Sequence, residues 1–146
     1  MNDLAPVALR GLSTMTLFAD DMTAAQSWYT RVLGVEPYFY MPAPPAAPAY
    51  VEFRIGDTQH ELGIIDRRYA PQPQASTGGP ITYWHVDDVH AAFTRLLELG
   101  ATVHEPVTER GPGFVTASVV DPFGNVLGVM FNRHYLDMLE ARTAAA

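Results

Sequence analysis

Few groups in this chain could do proton or nucleophile chemistry. Its 146 residues include five histidines and no cysteine, which excludes thiolate nucleophiles, disulfides and Cys-ligated zinc. His60, His104 and His134 stand at strand ends or near the C-terminus with no spacing that suits a shared metal, and His90 follows a helix start on a solvated face. Among the histidines His85 remains, inside a run that reads as a strand, as does Glu61, one of 16 acidic residues. A carboxylate and an imidazole can serve as acid and base if a fold brings them to one substrate. Each also has a plain structural reading, Glu61 as the partner of Arg54 and His85 as a hydrogen-bonded wall residue. The chain contains no G-x-S-x-G nucleophile turn, no phosphate-binding glycine loop and no basic aromatic stripe.

The elements that must position these residues form a pattern that occurs twice. A strand over 12–19 leads through Asp20-Asp21 into a helix over 22–33 that Gly34 closes. A strand over 81–86 leads through Asp87-Asp88 into a helix over 89–99 that Gly100 closes. In both, the aspartate can accept from free first-turn amides and the glycine can take the left-handed conformation that ends a helix. Three extended segments follow each helix: 38–41, 50–55 and 61–65, then 102–104, 114–120 and 126–131. Asp20 matches Asp87, and Asp57 matches Gly124, at one offset of 67 residues (87 − 20 and 124 − 57), as an internal duplication requires. The expected organisation is an N-terminal arm (1–10), a first βαβββ module (11–68), a Pro-rich linker (69–80), a second βαβββ module (81–135) and a C-terminal tail (136–146). A second Pro-rich stretch, Met41 to Pro48, reads as a loop.

This doubled pattern resembles the vicinal oxygen chelate superfamily of glyoxalase I, bleomycin-resistance proteins and extradiol dioxygenases. The resemblance is carried by Leu17-Phe18-Ala19-Asp20-Asp21, by Trp28-Tyr29-Thr30-Arg31-Val32-Leu33-Gly34, by Val86-Asp87-Asp88-Val89 and Leu97-Glu98-Leu99-Gly100, and most specifically by Asp121-Pro122-Phe123-Gly124-Asn125. It spans roughly residues 11 to 132 and implies an α+β fold, two tandem βαβββ modules forming a curved mixed sheet around a cavity. In metal-dependent members, the first and last strands of each module supply the ligands. Carried over, these positions are Thr14, Glu61, Ile81 and Gly128. One carboxylate and one hydroxyl do not make the several donors that a divalent ion needs, so no metal and no cofactor are expected.

The resemblance then implies a cavity lined by side chains of the same strand parity. Thr14, Thr16 and Phe18 come from the first strand, and Ile81, Tyr83 and His85 from the fifth. The last strands contribute Glu61, Gly128 and Met130, with Gly128 leaving room for a ring, and Tyr38, Tyr40 and Arg54 complete the set. Leu17, Ala19, Leu62, Trp84, Val86 and Val129 have the opposite parity and are expected to pack against the helices. Trp28 and Tyr29 read as core.

The implied function is binding of a small organic molecule, natural-product or antibiotic-like and aromatic. The alternatives are a cofactor-independent enzyme using Glu61 and His85, or a metal-dependent lyase or dioxygenase of the same superfamily. A net charge of −7 argues against nucleic acid or an anionic membrane as partner. With 48% hydrophobic and 17% charged residues the chain is globular, and no apolar run reaches the roughly 18 residues of a membrane span. A cytoplasmic protein is expected, and exposed strand edges make a homodimer the expected assembly.

Overall fold

A computed structural model describes residues 6–70 and 80–146. The expected linker lies outside the described residues apart from Tyr69, Ala70 and Pro80, as does the first half of the N-terminal arm. The first module comprises β1 (Thr14–Ala19), α1 (Met22–Leu33), β2 (Phe39–Met41), β3 (Tyr50–Ile55) and β4 (His60–Asp66), followed by a short 3-10 turn. The second comprises β5 (Tyr83–His85), α2 (Val89–Glu98), β6 (Thr102–Gly111), β7 (Phe114–Val120) and β8 (Val126–Asn132). The fold is α+β, and each βαβββ module carries its own four-stranded mixed sheet, in the orders β1-β4-β3-β2 and β5-β8-β7-β6.

The local signals act as read. Asp21 accepts from the Ala24 amide and Gly34 ends α1 at φ 70°, while Asp88 accepts from the Ala91 amide. These contacts satisfy amides that a helix start leaves free. Strand alternation sorts the side chains into two faces. Leu17, Ala19, Val51, Phe53, Leu62 and Ile64 are buried under α1, and Ala117, Val119, Leu127 and Val129 under α2. The two sets belong to one continuous core. A third helix, α3 (Arg133–Ala145), runs across the boundary between the expected second module and tail. None of its residues is buried, so it left no apolar stripe for the sequence to show.

The second sheet pairs in a register two residues away from the one the internal offset implies. Thr14 lies opposite Glu61, but Tyr83, not Ile81, lies opposite Gly128. A slip of two keeps every side chain on its face, so the alternation alone could not reveal it.

The modules are joined by hydrogen bonds between them. The Asn125 side chain accepts from the Phe18 amide (3.0 Å) and donates to the Phe18 carbonyl (2.8 Å), on the edge of β1 that faces away from β4. Asp121, 3% exposed, holds Asn125 in place by accepting from its side chain and its backbone amide, and it also accepts from the Tyr29 hydroxyl (2.5 Å). The Trp28 indole donates to the Leu99 carbonyl (2.7 Å), and Arg67 donates to the Phe123 carbonyl (2.6 Å). Trp28 and Tyr29 are therefore core residues that also carry polar contacts across the module seam.

Burial, the charge of Asp121 and their shared hydrogen bond raise the Tyr29 hydroxyl well above the ordinary phenol value. The folded state holds that proton more tightly than the unfolded chain. Its contribution is fully present below about pH 10 and is lost as pH rises beyond it. Tyr29→Phe is expected to cost about 1–3 kcal/mol near neutrality, because buried Asp121 loses a donor. Urea denaturation from pH 7 to 11 should show the wild type losing stability above pH 10 more steeply than the variant.

Candidate functional site

On the side of the first sheet away from α1, a polar cluster surrounds Glu61. Its Oε2 accepts from the Thr14 hydroxyl (2.6 Å) and its Oε1 pairs with Arg54 (3.2 Å). The Arg54 guanidinium also lies 4.6 Å over the Tyr38 ring. Glu52, on the same face, accepts from the Tyr50 hydroxyl. Burial first, then the charge of Glu61, raises the Glu52 carboxyl, with Arg54 pulling the other way. Arg54 thus pairs with Glu61, and its charge also acts on Glu52. The ring of Tyr50 lies over Gly63 and packs edge-on against Phe39 at 6.3 Å. Phe39 belongs to the Tyr38-Phe39-Tyr40 run that reads from the sequence as either a stacking wall or a plain aromatic strand, whereas Tyr50 escapes that reading, although its parity with Glu52 was the available signal.

Tyr40 does not share that face. It pairs with Val51, packs against the core and stands 3.5 Å from the Gln26 amide of α1. The strand is only three residues long and follows Pro37, so alternation starts at Phe39 and sends Tyr40 toward the helix. Tyr38 precedes the strand and reaches Arg54 from outside the alternation. Thr16 and Phe18 continue the open face along β1, with Phe18 tied to Asn125 through its backbone.

On the second sheet Ile81, Tyr83 and Gly128 meet. A Cβ at Gly128 would come within 2.7 Å of Tyr83 Cδ1, 2.9 Å of the Thr82 carbonyl oxygen and 3.0 Å of Ile81 Cγ2. The room expected at Gly128 is filled by the protein's own Tyr83 ring. Met130 lies opposite His85. His85 Nδ1 accepts from the Asn132 amide (3.1 Å), and its ring stacks on Tyr135 of α3 at 4.7 Å. With Nδ1 committed as an acceptor, the ring carries its proton on Nε2, which is buried with no hydrogen-bond partner; the Asp87 carboxylate is 3.7 Å away. Glu61 and His85 stand on different sheets, each held by other partners.

The cavity found among the described residues lies on the helix side of the sheets. It measures about 430 Å³ and opens between α1 and α2. Val32, Leu33, Leu96, Leu99, Leu127 and Val129 form much of its wall. Trp84, Val86 and Leu62, read as helix-packing residues, border it too. Of the residues assigned to a ligand cavity from the sequence, Arg54 and His85 line this one. The others are distributed over the open faces.

The residues at the four positions carried over from the resemblance do not fit a divalent ion. Gly128 has no side chain, Ile81 has no donor atom and yields its place opposite Gly128 to the ring of Tyr83, and both carboxylate oxygens of Glu61 are engaged by Thr14 and Arg54. Among the described residues no three His, Asp or Glu side chains gather as a metal would require. No described helix is long and apolar enough to cross a membrane.

Comparison with known proteins bears on the whole arrangement. The family model for the glyoxalase/bleomycin resistance protein/dioxygenase superfamily matches residues 11–129. A search of curated proteins finds no match. Among solved structures, a glyoxalase-related enzyme from Fulvimarina pelagi is similar at TM-score 0.68 and 19% identity, over 86% of this chain and 90% of that one. A lactoylglutathione lyase from Agrobacterium tumefaciens is similar at 0.62 and 23%, over 84% and 93%. A glyoxalase/bleomycin resistance protein from Catenulispora acidiphila is similar at 0.56 and 22%, over 82% and 97%. At these identities the structures agree in fold.

The crowding at the two glycines predicts different tolerances. At Gly128 an added methyl meets backbone as well as Tyr83, whereas at Gly63 it meets only the Tyr50 side chain, which can swing away. Gly128→Ala is expected to cost about 1–3 kcal/mol, the usual range for overpacking, and Gly63→Ala less. Denaturation midpoints of the two variants check the order.

Proposed function

The chain belongs to the glyoxalase/bleomycin resistance protein/dioxygenase superfamily, and from that premise we propose that it binds a planar, aromatic small molecule, natural-product or antibiotic-like and neutral or weakly cationic, without a tightly held metal. The observation that carries this reading is the open face of the first sheet. Phe39, Tyr50 and Met41 offer flat, polarisable surface there, and Glu52 and Glu61 place two carboxylates around one guanidinium. A weak cation gains more from that surface than an anion does. The misfit of the four metal-ligand positions supports binding without a metal. The alternative of a cofactor-free acid–base pair has less support, because Glu61 and His85 are held apart by Arg54, Thr14 and Asn132.

The reading includes a homodimer in the cytoplasm. Among the described residues the outer strands β2 and β6 have no partner on one side, and Phe39 and Met41 of β2 are 41% and 56% exposed; such an edge favours pairing with a second copy. Sedimentation at micromolar concentration is expected to give about twice the 16.0 kDa chain mass.

Proflavine, a planar aromatic cation, serves as the probe, with naphthalene sulfonate as its anionic counterpart. Fluorescence titration should show saturable binding of proflavine and much weaker binding of the sulfonate. Glu61→Gln should cost roughly 1.5–3 kcal/mol if the carboxylate makes a charge-assisted bond. Tyr50→Ala should cost about 0.5–1.5 kcal/mol if its ring stacks on the ligand. Equal binding of the anion, or no effect of either substitution, overturns the reading.

A further inference from the structure

The cavity between α1 and α2 lies where the internal duplication leaves one of two equivalent places unfilled. Trp28 and Arg95 hold the same position in their helices, seven residues beyond the N-caps Asp21 and Asp88 (28 − 21 and 95 − 88). Trp28 is 3% exposed and fills the space between α1, the end of α2 and the β7–β8 turn. Its indole donates to the Leu99 carbonyl (2.7 Å), and its ring packs edge-on against Phe123 of that turn at 6.2 Å.

The equivalent space lies between α2, the end of α1 and the β3–β4 turn. Arg95 does not fill it. Its side chain is 63% exposed and pairs with Glu98 at 3.5 Å. The turn, Gly56 to Gln59, has no aromatic residue to take the part of Phe123. Arg95, Val32, Leu33 and Val35 line the cavity, together with Gly56 and Gln59 of the turn. Its volume of about 430 Å³ falls within the roughly 300–1,000 Å³ of small-molecule sites.

The wall selects its occupant by chemistry. It is largely aliphatic and contains no carboxylate, so a cation finds no counter-charge in it. The exposed pair with Glu98 contributes little, which leaves the Arg95 guanidinium able to lie over an aromatic face. Arg54 makes that contact with Tyr38, at 4.6 Å.

We propose that this cavity is a second binding site, for a flat, uncharged aromatic molecule of about indole size, which takes the place that Trp28 fills in the other half of the seam. The ring lies among Val32, Leu33 and Leu96 with Arg95 over its outer side. The site is on the helix side of the sheets, so it stands whether or not a ligand binds the open face.

Indole tests it, with cyclohexanol as an uncharged aliphatic control and tryptamine as the same ring system carrying a cation. Calorimetry on the full chain should show one indole bound per chain and weaker binding of both controls. Arg95→Gln should weaken indole about two- to five-fold, the range of an exposed cation–π contact, and leave cyclohexanol unchanged. Arg95→Trp should abolish indole binding, because the chain's own ring then fills the space. Position 95 is exposed, so the fold is retained, and circular dichroism checks that it is. The unaltered chain supplies the location. The ring current of bound indole should shift the methyl resonances of Val32, Leu33 and Leu96 and leave that of Met41, on the open face, in place. Proflavine should not displace indole. Equal affinity for the three probes, unmoved Leu33 and Leu96 methyls, full binding by folded Arg95→Trp, or displacement by proflavine overturns the proposal; displacement would put indole on the open face and leave the reading of that face standing.

Discussion

Asn125 sets the relation between the two modules. Its primary amide offers a donor and an acceptor with the spacing of a peptide group, so it can pair with both polar groups of Phe18 at once. That pairing ends β1 as a sheet edge where a ninth strand would otherwise be needed. The amide can do this only if its own orientation is fixed, and Asp121 fixes it by accepting from both its side chain and its backbone. Tyr29 then ties the same carboxylate to α1. One short segment between β7 and β8 thereby holds the first strand and the first helix of the other module.

With the seam held this way, the helix faces of both sheets share one core. The core does not close completely between α1 and α2, where side chains from both modules would have to interdigitate across the junction. The open faces have no such demand. They collect polar groups, and the glycines there are covered by Tyr50 and Tyr83. The molecule therefore has a polar, acidic open face and a largely aliphatic cavity on the helix side, with Arg54 bordering both.

Much of this was legible. The alternation of Thr14, Thr16 and Phe18 with Leu17 and Ala19 separated the two faces, and Asp21, Asp88 and Gly34 marked helix ends by chemistry that acts within a few residues. What escaped the sequence depends on distance or degeneracy. A period of two cannot distinguish Ile81 from Tyr83 opposite Gly128. Tyr40 sits in a strand too short to set its own phase. The Asp121–Asn125 segment was recognisable as a family motif, but its partners, Phe18 and Tyr29, lie more than ninety residues away in the chain. The cavity between the helices arises from the docking of two modules, which no local pattern encodes.

The duplication is symmetric in sequence, but the seam is not. At the offset of 67, Asn125 corresponds to Thr58 and Asp121 to Arg54. Neither counterpart can rebuild the peptide-like pairing. The far end of the seam is closed instead by Tyr135 of α3, whose hydroxyl reaches the exposed Asp57 at 2.5 Å. One end is thus secured by a buried network and the other by a solvent-facing contact from a helix with no buried residue. Free energies of local opening should grade along the seam, so the end held by Tyr135 is expected to open more readily than the end held by Asn125, like a book gripped at one end of its spine.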